Sequence, residues 1–256
     1  MSIQKQKKLI KTGDIFQLGN HRLLVGDATD KKSIGQLVGK DKIRLIACDP
    51  PYGISYVESK AGFKQKISKP KKIAGDQLQS ESEYKNFTKD WLNVIVPHLE
   101  RKTSAYIFNC DKMIFALRDG MGEAGFYFSQ LLVWVKNQAV VGRKDYLPQH
   151  ELIAYGWHGT HLFVKGKDKS VIFCPKPNRS KSHPTQKPIS LMRKLVLNST
   201  KIGDFVYDPF GGSGTTLLSA EQTKRKCLMV EQDLEYCKTI IDRFEKQTGI
   251  KANKLN

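Results

Sequence analysis

Asp49, Pro50, Pro51 and Tyr52 are consecutive and could do chemistry together. The run 43–48 before them is short, apolar and closed by two prolines, which predicts a buried strand that stops abruptly. In open α/β sheets, ligands bind outside the carboxyl ends of the strands. The sequence therefore predicts a carboxylate and an aromatic ring at a ligand-binding edge.

These side chains suit the methylation of an exocyclic amino group on a nucleobase. Such a nitrogen is planar and a poor nucleophile, because its lone pair is delocalised into the ring. If the Asp49 carboxylate accepts one N–H and the Pro50 carbonyl accepts the other, the nitrogen becomes more pyramidal and can attack a methyl group. Tyr52 would stack on a base that has left its duplex. The alternative is a strand-ending turn in which the aspartate is only a cap.

A glycine-rich turn supplies a second group of residues. It comprises Asp208, Pro209, Phe210, Gly211, Gly212, Ser213, Gly214, Thr215 and Thr216. Glycines let the backbone approach a ligand closely, and the amino terminus of a following helix favours a carboxylate or phosphate. Glu231 follows Gly212 by 19 residues, the spacing at which α/β nucleotide sites place a ribose-binding carboxylate. The pattern is neither GxGxxG nor a phosphate-binding loop ending in Gly-Lys-Ser/Thr, so an adenosyl ligand without phosphate, such as S-adenosylmethionine, fits better.

Alternating strands and helices are predicted to position these groups. Apolar patterns predict strands at 21–27, 43–48, 104–109, 126–135, 205–208 and 227–230, and helices at 81–99, 112–123, 189–198 and 234–244. Because the glycine turn comes near the end of the chain, the other strands of its sheet must come from the amino-terminal half. We therefore expect one α/β domain, residues 1–256, in which both halves share a sheet.

The composition indicates a polyanionic partner. Of the 256 residues 39% are hydrophobic, which is enough for a large core, and the formal net charge is +18. A charge of this size is most simply explained by nucleic acid. The five cysteines are scattered without a CxxC pair, so neither a disulfide framework nor a metal site is predicted. No secretory signal or membrane-length apolar run is evident, which predicts a soluble intracellular protein.

Two basic segments are predicted to contact nucleic acid. Residues 53–75 are interpreted as a mobile basic loop, with a solvated surface loop as the alternative. Residues 137–182 combine basic and aromatic residues with hairpin patterns at 151–157, 162–164 and 171–173. They are interpreted as a target-recognition region between the two halves of the catalytic domain. The residues predicted to bind nucleic acid are Lys60, Lys64, Lys66, Lys69, Lys71, Lys72, Arg143, Lys144, Lys165, Arg179 and Lys181.

Five motifs in this order resemble those of the β-class amino-methylating DNA methyltransferases, in which a DPPY motif precedes an FGG motif. They are Gly26-Asp27, Asp49 to Tyr52, His183-Pro184-Thr185-Gln186-Lys187-Pro188, Asp208 to Thr216, and Glu231. The match covers nearly the whole chain and is nearest to the short adenine-specific enzymes of bacteria, phages and mobile elements. It implies a Rossmann-like, seven-stranded mixed sheet with circularly permuted motif order and an antiparallel hairpin at its edge.

The resemblance also implies roles for residues. Asp49 to Tyr52 would hold a flipped base, Glu231 would bind the cofactor ribose, and Asp27 would lie near the cofactor adenine. Lys187 would lie near the methionine carboxylate, with a surface lysine as its alternative. The full set expected to bind S-adenosylmethionine is Asp27, Asp49, Lys187, Asp208, Pro209, Phe210, Gly211, Gly212, Ser213, Gly214, Thr215 and Glu231.

The activity implied is methyl transfer from S-adenosylmethionine to adenine N6 in double-stranded DNA, by base flipping and direct in-line attack. An aspartate at the first DPPY position resembles the adenine enzymes more than the cytosine-N4 enzymes. Cytosine-N4 methylation, adenine-N6 methylation of RNA and an inactive DNA-binding module are the alternatives. The resemblance extends to a homodimer, a cognate restriction endonuclease and a cytoplasmic, nucleoid-associated location in a bacterial or phage-infected cell.

Overall fold

The computed structural model describes residues 10–55, 76–140, 145–176 and 186–256. The strands are Ile15–Leu18 (β1), His21–Val25 (β2), Ile43–Cys48 (β3), Leu99–Asn109 (β4), Phe126–Val135 (β5), His150–Gly159 (β6), Val171–Phe173 (β7), Phe205–Asp208 (β8), Lys226–Glu231 (β9) and Asn253–Lys254 (β10). The helices are Lys31–Val38 (α1), Glu81–Ile95 (α2), Ile114–Glu123 (α3), Ile189–Ser199 (α4), Thr215–Gln222 (α5) and Leu234–Thr248 (α6), with a 3₁₀ turn at Val96–His98.

All these strands form one mixed sheet in the order β10-β1-β2-β9-β8-β3-β4-β6-β5-β7. The strands β2, β9, β8, β3 and β4 are parallel, whereas β6 runs antiparallel to both β4 and β5. Strand β8, which precedes the glycine turn, pairs directly with β3, which precedes Asp49. The prediction that the two halves of the chain share a sheet is therefore confirmed.

The resemblance implied a sheet of seven strands, whereas the sheet of the described residues has ten. Seven strands, β2 to β5 in sheet order, form the centre, and β1, β10 and β7 extend it to ten. These additions have 4, 2 and 3 residues, which is too short for an alternating apolar pattern to mark them in the sequence. The resemblance also implied an antiparallel hairpin at the edge of the sheet. Strands β5 and β6 form an antiparallel pair, but β7 pairs with β5 and takes the edge position.

Helices cover both faces of the sheet, which explains the nearly continuous apolar sequence of its central strands. On one face, Ile46 and Cys48 of β3 belong to a core shared with α1, α2 and α3. On the other, Leu45 and Ala47 pack with α4, and the neighbouring core of β2 and β9 packs with α5 and α6. No helix in the described ranges is long and apolar enough to cross a membrane.

Local sequence signals set the helix boundaries near the site. Helix α2 starts with a capping box, in which Ser80 accepts from the Glu83 backbone N–H and Glu83 accepts from the Ser80 backbone N–H. The predicted helix 81–99 ends earlier, at Ile95, because Pro97 lies in a 3₁₀ turn that closes it. Asp233 caps α6, and Gly249 ends it in a left-handed conformation.

The segment interpreted as a recognition region contains a central strand of the sheet. Strand β6 lies between β4 and β5, and its Tyr155 is buried and stacks on Tyr106 with ring centroids 4.8 Å apart. Residues 162–164 are not a strand, in contrast to the predicted hairpin pattern. Part of the segment 137–182 is therefore a strand of the main sheet, and the interpretation of this segment as a recognition region stays a prediction.

Candidate active site at the carboxyl edge of the sheet

Four carboxylates lie at the ends of four adjacent parallel strands. Asp27 follows β2, Glu231 ends β9, Asp208 ends β8, and Asp49 follows β3. Because these strands are parallel and neighbours, the carboxyl ends on which the groups sit form one continuous edge. The fold thus brings the DPPY segment and the glycine turn to the same edge, although they are far apart in sequence.

Both carboxylate oxygens of Asp49 already accept a hydrogen bond from the protein. The Tyr52 hydroxyl donates to Oδ1 at 2.7 Å, and the Lys187 ammonium donates to Oδ2 at 2.5 Å. The Asp49 side chain remains 27% exposed. Each carboxylate oxygen has a second lone pair, so Asp49 can still accept a donor from a ligand.

Lys187 belongs to the Asp49 half of the site. Its ammonium is buried and pairs with Asp49 and, at 3.0 Å, with Glu151 Oε2. The ammonium also lies 5.8 Å from the centre of the Tyr52 ring. The surface-lysine alternative is therefore wrong, and the described partners of Lys187 are carboxylates of the chain itself.

Sequence reasoning missed Glu151 and Lys136, which complete this cluster. The Lys136 ammonium is buried and pairs with Glu151 Oε1 at 2.8 Å. Lys136 directly follows β5, and Glu151 is the second residue of β6. For Lys136, the available signal was a charged residue directly after the strand predicted at 126–135. Glu151 was missed because residues 137–182 were interpreted as a recognition region.

Two carboxylates and two ammonium groups make up this cluster, and the pKa values of Asp49, Glu151 and Lys187 are shifted in different ways. Burial raises the pKa of Asp49, against the opposing effects of Lys187 and Tyr52. Burial would also raise the pKa of Glu151, but Lys187 and Lys136 outweigh it and lower that pKa to about 2. Burial would lower the pKa of Lys187, but Asp49 and Glu151 reverse the effect and raise it. Glu151 and Lys187 are therefore charged at neutral pH.

Backbone hydrogen bonds and one arginine shape the glycine turn. The Gly211 N–H donates to the Val230 carbonyl at 2.8 Å, and the Arg243 guanidinium donates to the Ser213 carbonyl. Gly214 adopts a left-handed conformation with φ of 80° and precedes α5, whose first turn has no side-chain cap. The first N–H groups of such a helix can bind an anion, because the helix itself leaves them without partners.

Two buried carboxylates flank this turn. Asp208 accepts from the Phe210 N–H at 3.0 Å, and Glu231 accepts from the Gly212 N–H at 2.7 Å and the Asp233 N–H at 2.8 Å. Burial is the largest cause that raises the pKa of each of these carboxyls, to about 7 in both cases. Both groups therefore change protonation near neutral pH.

The other residues predicted to bind cofactor have varied environments. The Phe210 ring packs against Trp91 and Phe87, with centroids 5.5 and 5.8 Å away, so that ring has a core role. Ser213 and Thr215 are buried beside the turn. Pro209 is buried, as is Pro50 of the segment predicted to hold the base, whereas Asp27 is exposed and accepts from Thr29.

Most residues predicted to bind nucleic acid lie outside the described ranges. These are Lys60, Lys64, Lys66, Lys69, Lys71, Lys72, Arg143, Lys144, Arg179 and Lys181. Lys165 is described and exposed, but it follows the end of β6, where Gly159 pairs with Lys102 near the start of β4. Lys165 therefore lies toward the opposite edge of the sheet from Asp49.

Gly214→Ala should destabilise the glycine turn. A Cβ atom at this position would lie 3.2 Å from Ile240 Cγ1, and a left-handed conformation costs a non-glycine residue about 1–2 kcal/mol. We expect urea denaturation to show a loss of unfolding free energy of about that size. Gly122→Ala is the matched control, because nothing lies within 4 Å of its Cβ position and its φ is not positive. Equal stabilities of the two variants would contradict the prediction.

Comparisons with known proteins identify the family to which the chain belongs. The model of the DNA methylase family, N6_N4_Mtase, matches residues 43–242. The type II methyltransferase M2.MboI of Moraxella bovis is 24% identical over 242 residues, covering 84% of this chain and 85% of that protein. The type II methyltransferase M.HpaI of Haemophilus parainfluenzae is 26% identical over 235 residues, covering 81% of this chain and 70% of that one.

Solved structures agree with the sequence relatives. The complex of M1.HpyAVI with SAM superposes with a TM-score of 0.63 at 25% identity, covering 86% of this chain and 98% of that one. The cytosine-N4-specific PvuII DNA methyltransferase superposes with a TM-score of 0.70 at 18% identity, covering 89% of this chain and 87% of that one, which shows the shared fold. The chain therefore belongs to the DNA methylase family and is an S-adenosylmethionine-dependent DNA methyltransferase.

Proposed function

We propose that this methyltransferase modifies the exocyclic N6 of adenine in DNA, with Asp49 as the acceptor for the amino group. The observation that carries the proposal is the pairing of β3 with β8, which sets Asp49 and the glycine turn side by side at one edge of the sheet. Direct transfer from cofactor to base requires such neighbouring sites. The aspartate at the first position of the DPPY motif favours adenine over cytosine.

The cofactor half of the proposed site is made of the glycine turn and its flanking carboxylates. S-adenosylmethionine supplies the methyl group when it is bound. The amino terminus of α5 without a side-chain cap suits the methionine carboxylate, and Glu231 can accept from ribose hydroxyls through its remaining lone pairs. Asp27 is proposed to lie near the adenine of the cofactor. This donor and acceptor set fits an adenosyl ligand that carries a carboxylate and no phosphate.

On the base side, the Asp49 carboxylate would accept one amino N–H and the Pro50 carbonyl the other. Asp49 would then take the proton that becomes acidic when the nitrogen gains a methyl group. Tyr52 would present its ring to a base flipped out of the duplex. The net charge of +18 supports DNA as the partner, through phosphate contacts made by basic residues. A homodimer, a cognate endonuclease and a nucleoid-associated location stay predictions from the resemblance.

The deciding experiment is methyl transfer from labelled S-adenosylmethionine to unmethylated DNA, followed by digestion and mass analysis of the nucleosides. N6-methyladenine is the expected product. N4-methylcytosine without N6-methyladenine would overturn the choice of base. Transfer to RNA but not to DNA in a competition assay would overturn the choice of nucleic acid.

Cofactor affinity should depend on pH through Glu231. Its pKa of about 7 means that the carboxylate becomes ionised as the pH rises through neutrality, and the ionised form accepts ribose hydroxyls better. We expect the Kd for S-adenosylmethionine to fall roughly tenfold between about pH 6 and about pH 8, measured by calorimetry. Glu231→Gln should flatten this dependence, while Glu235→Gln, at an exposed position of α6, should keep it. If the Kd of Glu231→Gln depended on pH as strongly as that of the wild type, the titrating group would be another one, such as Asp208.

A further inference from the structure

Glu151 stands beside Asp49 as a second acceptor for the same two donors. Glu151 Oε2 lies 3.0 Å from the Lys187 ammonium and 3.4 Å from the Tyr52 hydroxyl. These two groups are the ones that donate to the two oxygens of Asp49. Each protein donor on Asp49 therefore has an alternative carboxylate within reach.

Lys136 fixes Glu151 in this position. It pairs with Oε1, whereas the shared donors contact Oε2, and its ammonium lies 5.4 Å from the centre of the Trp134 ring. Glu151 therefore keeps one oxygen for its own anchor and one for Lys187 and Tyr52.

We propose that Glu151, held by Lys136, is a positioning residue for methyl transfer that takes up Lys187 and Tyr52 when the target amino group binds Asp49. A base amino group needs a lone pair of Asp49 that faces the cofactor half of the site. When it takes that place, Lys187 and Tyr52 can shift their hydrogen bonds to Glu151 and avoid becoming unpaired in a buried site. The inference depends on the proposed role of Asp49 as the amino acceptor.

Charge balance supports the same role. Without Glu151, the Lys187 ammonium would have Asp49 as its sole described carboxylate partner and would bind it more tightly. A more tightly paired Asp49 is a weaker acceptor for the base. Among the described residues, the titratable groups that face Asp49 are Cys48 and Tyr52 on its own segment, Tyr84 on α2, Glu151 on β6, Lys187 before α4 and Asp208 on β8.

The test is the pH dependence of kcat for methyl transfer to unmethylated DNA by the full chain. In Glu151→Gln, kcat should fall roughly tenfold to a hundredfold while the KM for S-adenosylmethionine stays within about twofold. The acid limb of the profile should move to lower pH by on the order of one unit, because removing a neighbouring negative charge lowers the pKa of Asp49. A purely structural role would instead lower the free energy of unfolding and leave the kcat of the folded variant unchanged.

Two further variants keep the test decisive. Glu151→Gln with Lys136→Met removes the unpaired Lys136 charge that could unfold the single variant, and it should show the same kcat loss. Glu123→Gln, at an exposed ion pair, should match the wild type. Wild-type kinetics in a folded Glu151 variant, an unmoved acid limb in Glu151→Gln, or failure of both Glu151 variants to fold would overturn the inference. If Asp49→Ala were active in the same assay, the proposed function itself would fail.

Discussion

Asp49→Ala should lower the kcat of methyl transfer by roughly a hundredfold to ten-thousandfold, the range expected when a positioned proton acceptor is removed. The variant loses the carboxylate that would accept the amino group and take its proton. Lys187 keeps Glu151 as a partner, so the fold should tolerate the change. Labelled methyl transfer to DNA measures the effect.

Binding measurements separate this chemical loss from a loss of ligand. Asp49→Ala should bind DNA within a few-fold of the wild type, since its contact is proposed to be with one flipped base and the basic residues bind the phosphates. Asp41→Ala is the matched control, because that aspartate pairs with Arg22 at a partly exposed surface site. Unchanged methyl transfer in Asp49→Ala would remove Asp49 from its proposed role.

Lys187→Met should have the largest effect on stability, with a loss of about 3–5 kcal/mol of unfolding free energy, because the partly buried Asp49 carboxylate loses its counter-charge. Asp49 would lose its ion-pair partner, and Glu151 would keep Lys136 alone. Urea denaturation at about pH 8, where carboxylates are ionised, measures the loss. Methyl transfer should be lost as well, because Asp49 would no longer be held in place.

Two comparisons test the cause of that destabilisation. Lys194→Met removes a lysine that is 33% exposed and paired with Asp168, so we expect a change within about 1 kcal/mol. Adding Asp49→Asn to Lys187→Met should restore part of the lost stability, because it removes the carboxylate charge that has lost its ion-pair partner, while Glu151 keeps Lys136. If Lys187→Met were as stable as the wild type, the buried cluster would not depend on this lysine.

The sequence alone determined the two short segments that carry the chemistry. Asp49 follows a strand because the apolar run before it is closed by prolines, and the glycines at 211, 212 and 214 mark the turn between β8 and α5. The position of Glu231 at the end of β9 followed from its spacing. Local chain chemistry fixes each of these features, because turn residues and apolar periods act over a few positions.

Only the tertiary structure decided what surrounds Asp49. Lys187 lies 138 positions from Asp49 in sequence, and it contacts Asp49 because α4 packs beneath β3 and β4. Glu151 reaches the same cluster because β6 inserts between β4 and β5, a pairing that no local pattern specifies. Tyr155, which lies on β6 within the segment interpreted as a recognition region, is a core residue that stacks on Tyr106. Strand order and buried ion pairs arise from contacts between distant segments. The reacting groups could therefore be predicted from the sequence, whereas the ion pairs around Asp49 could not.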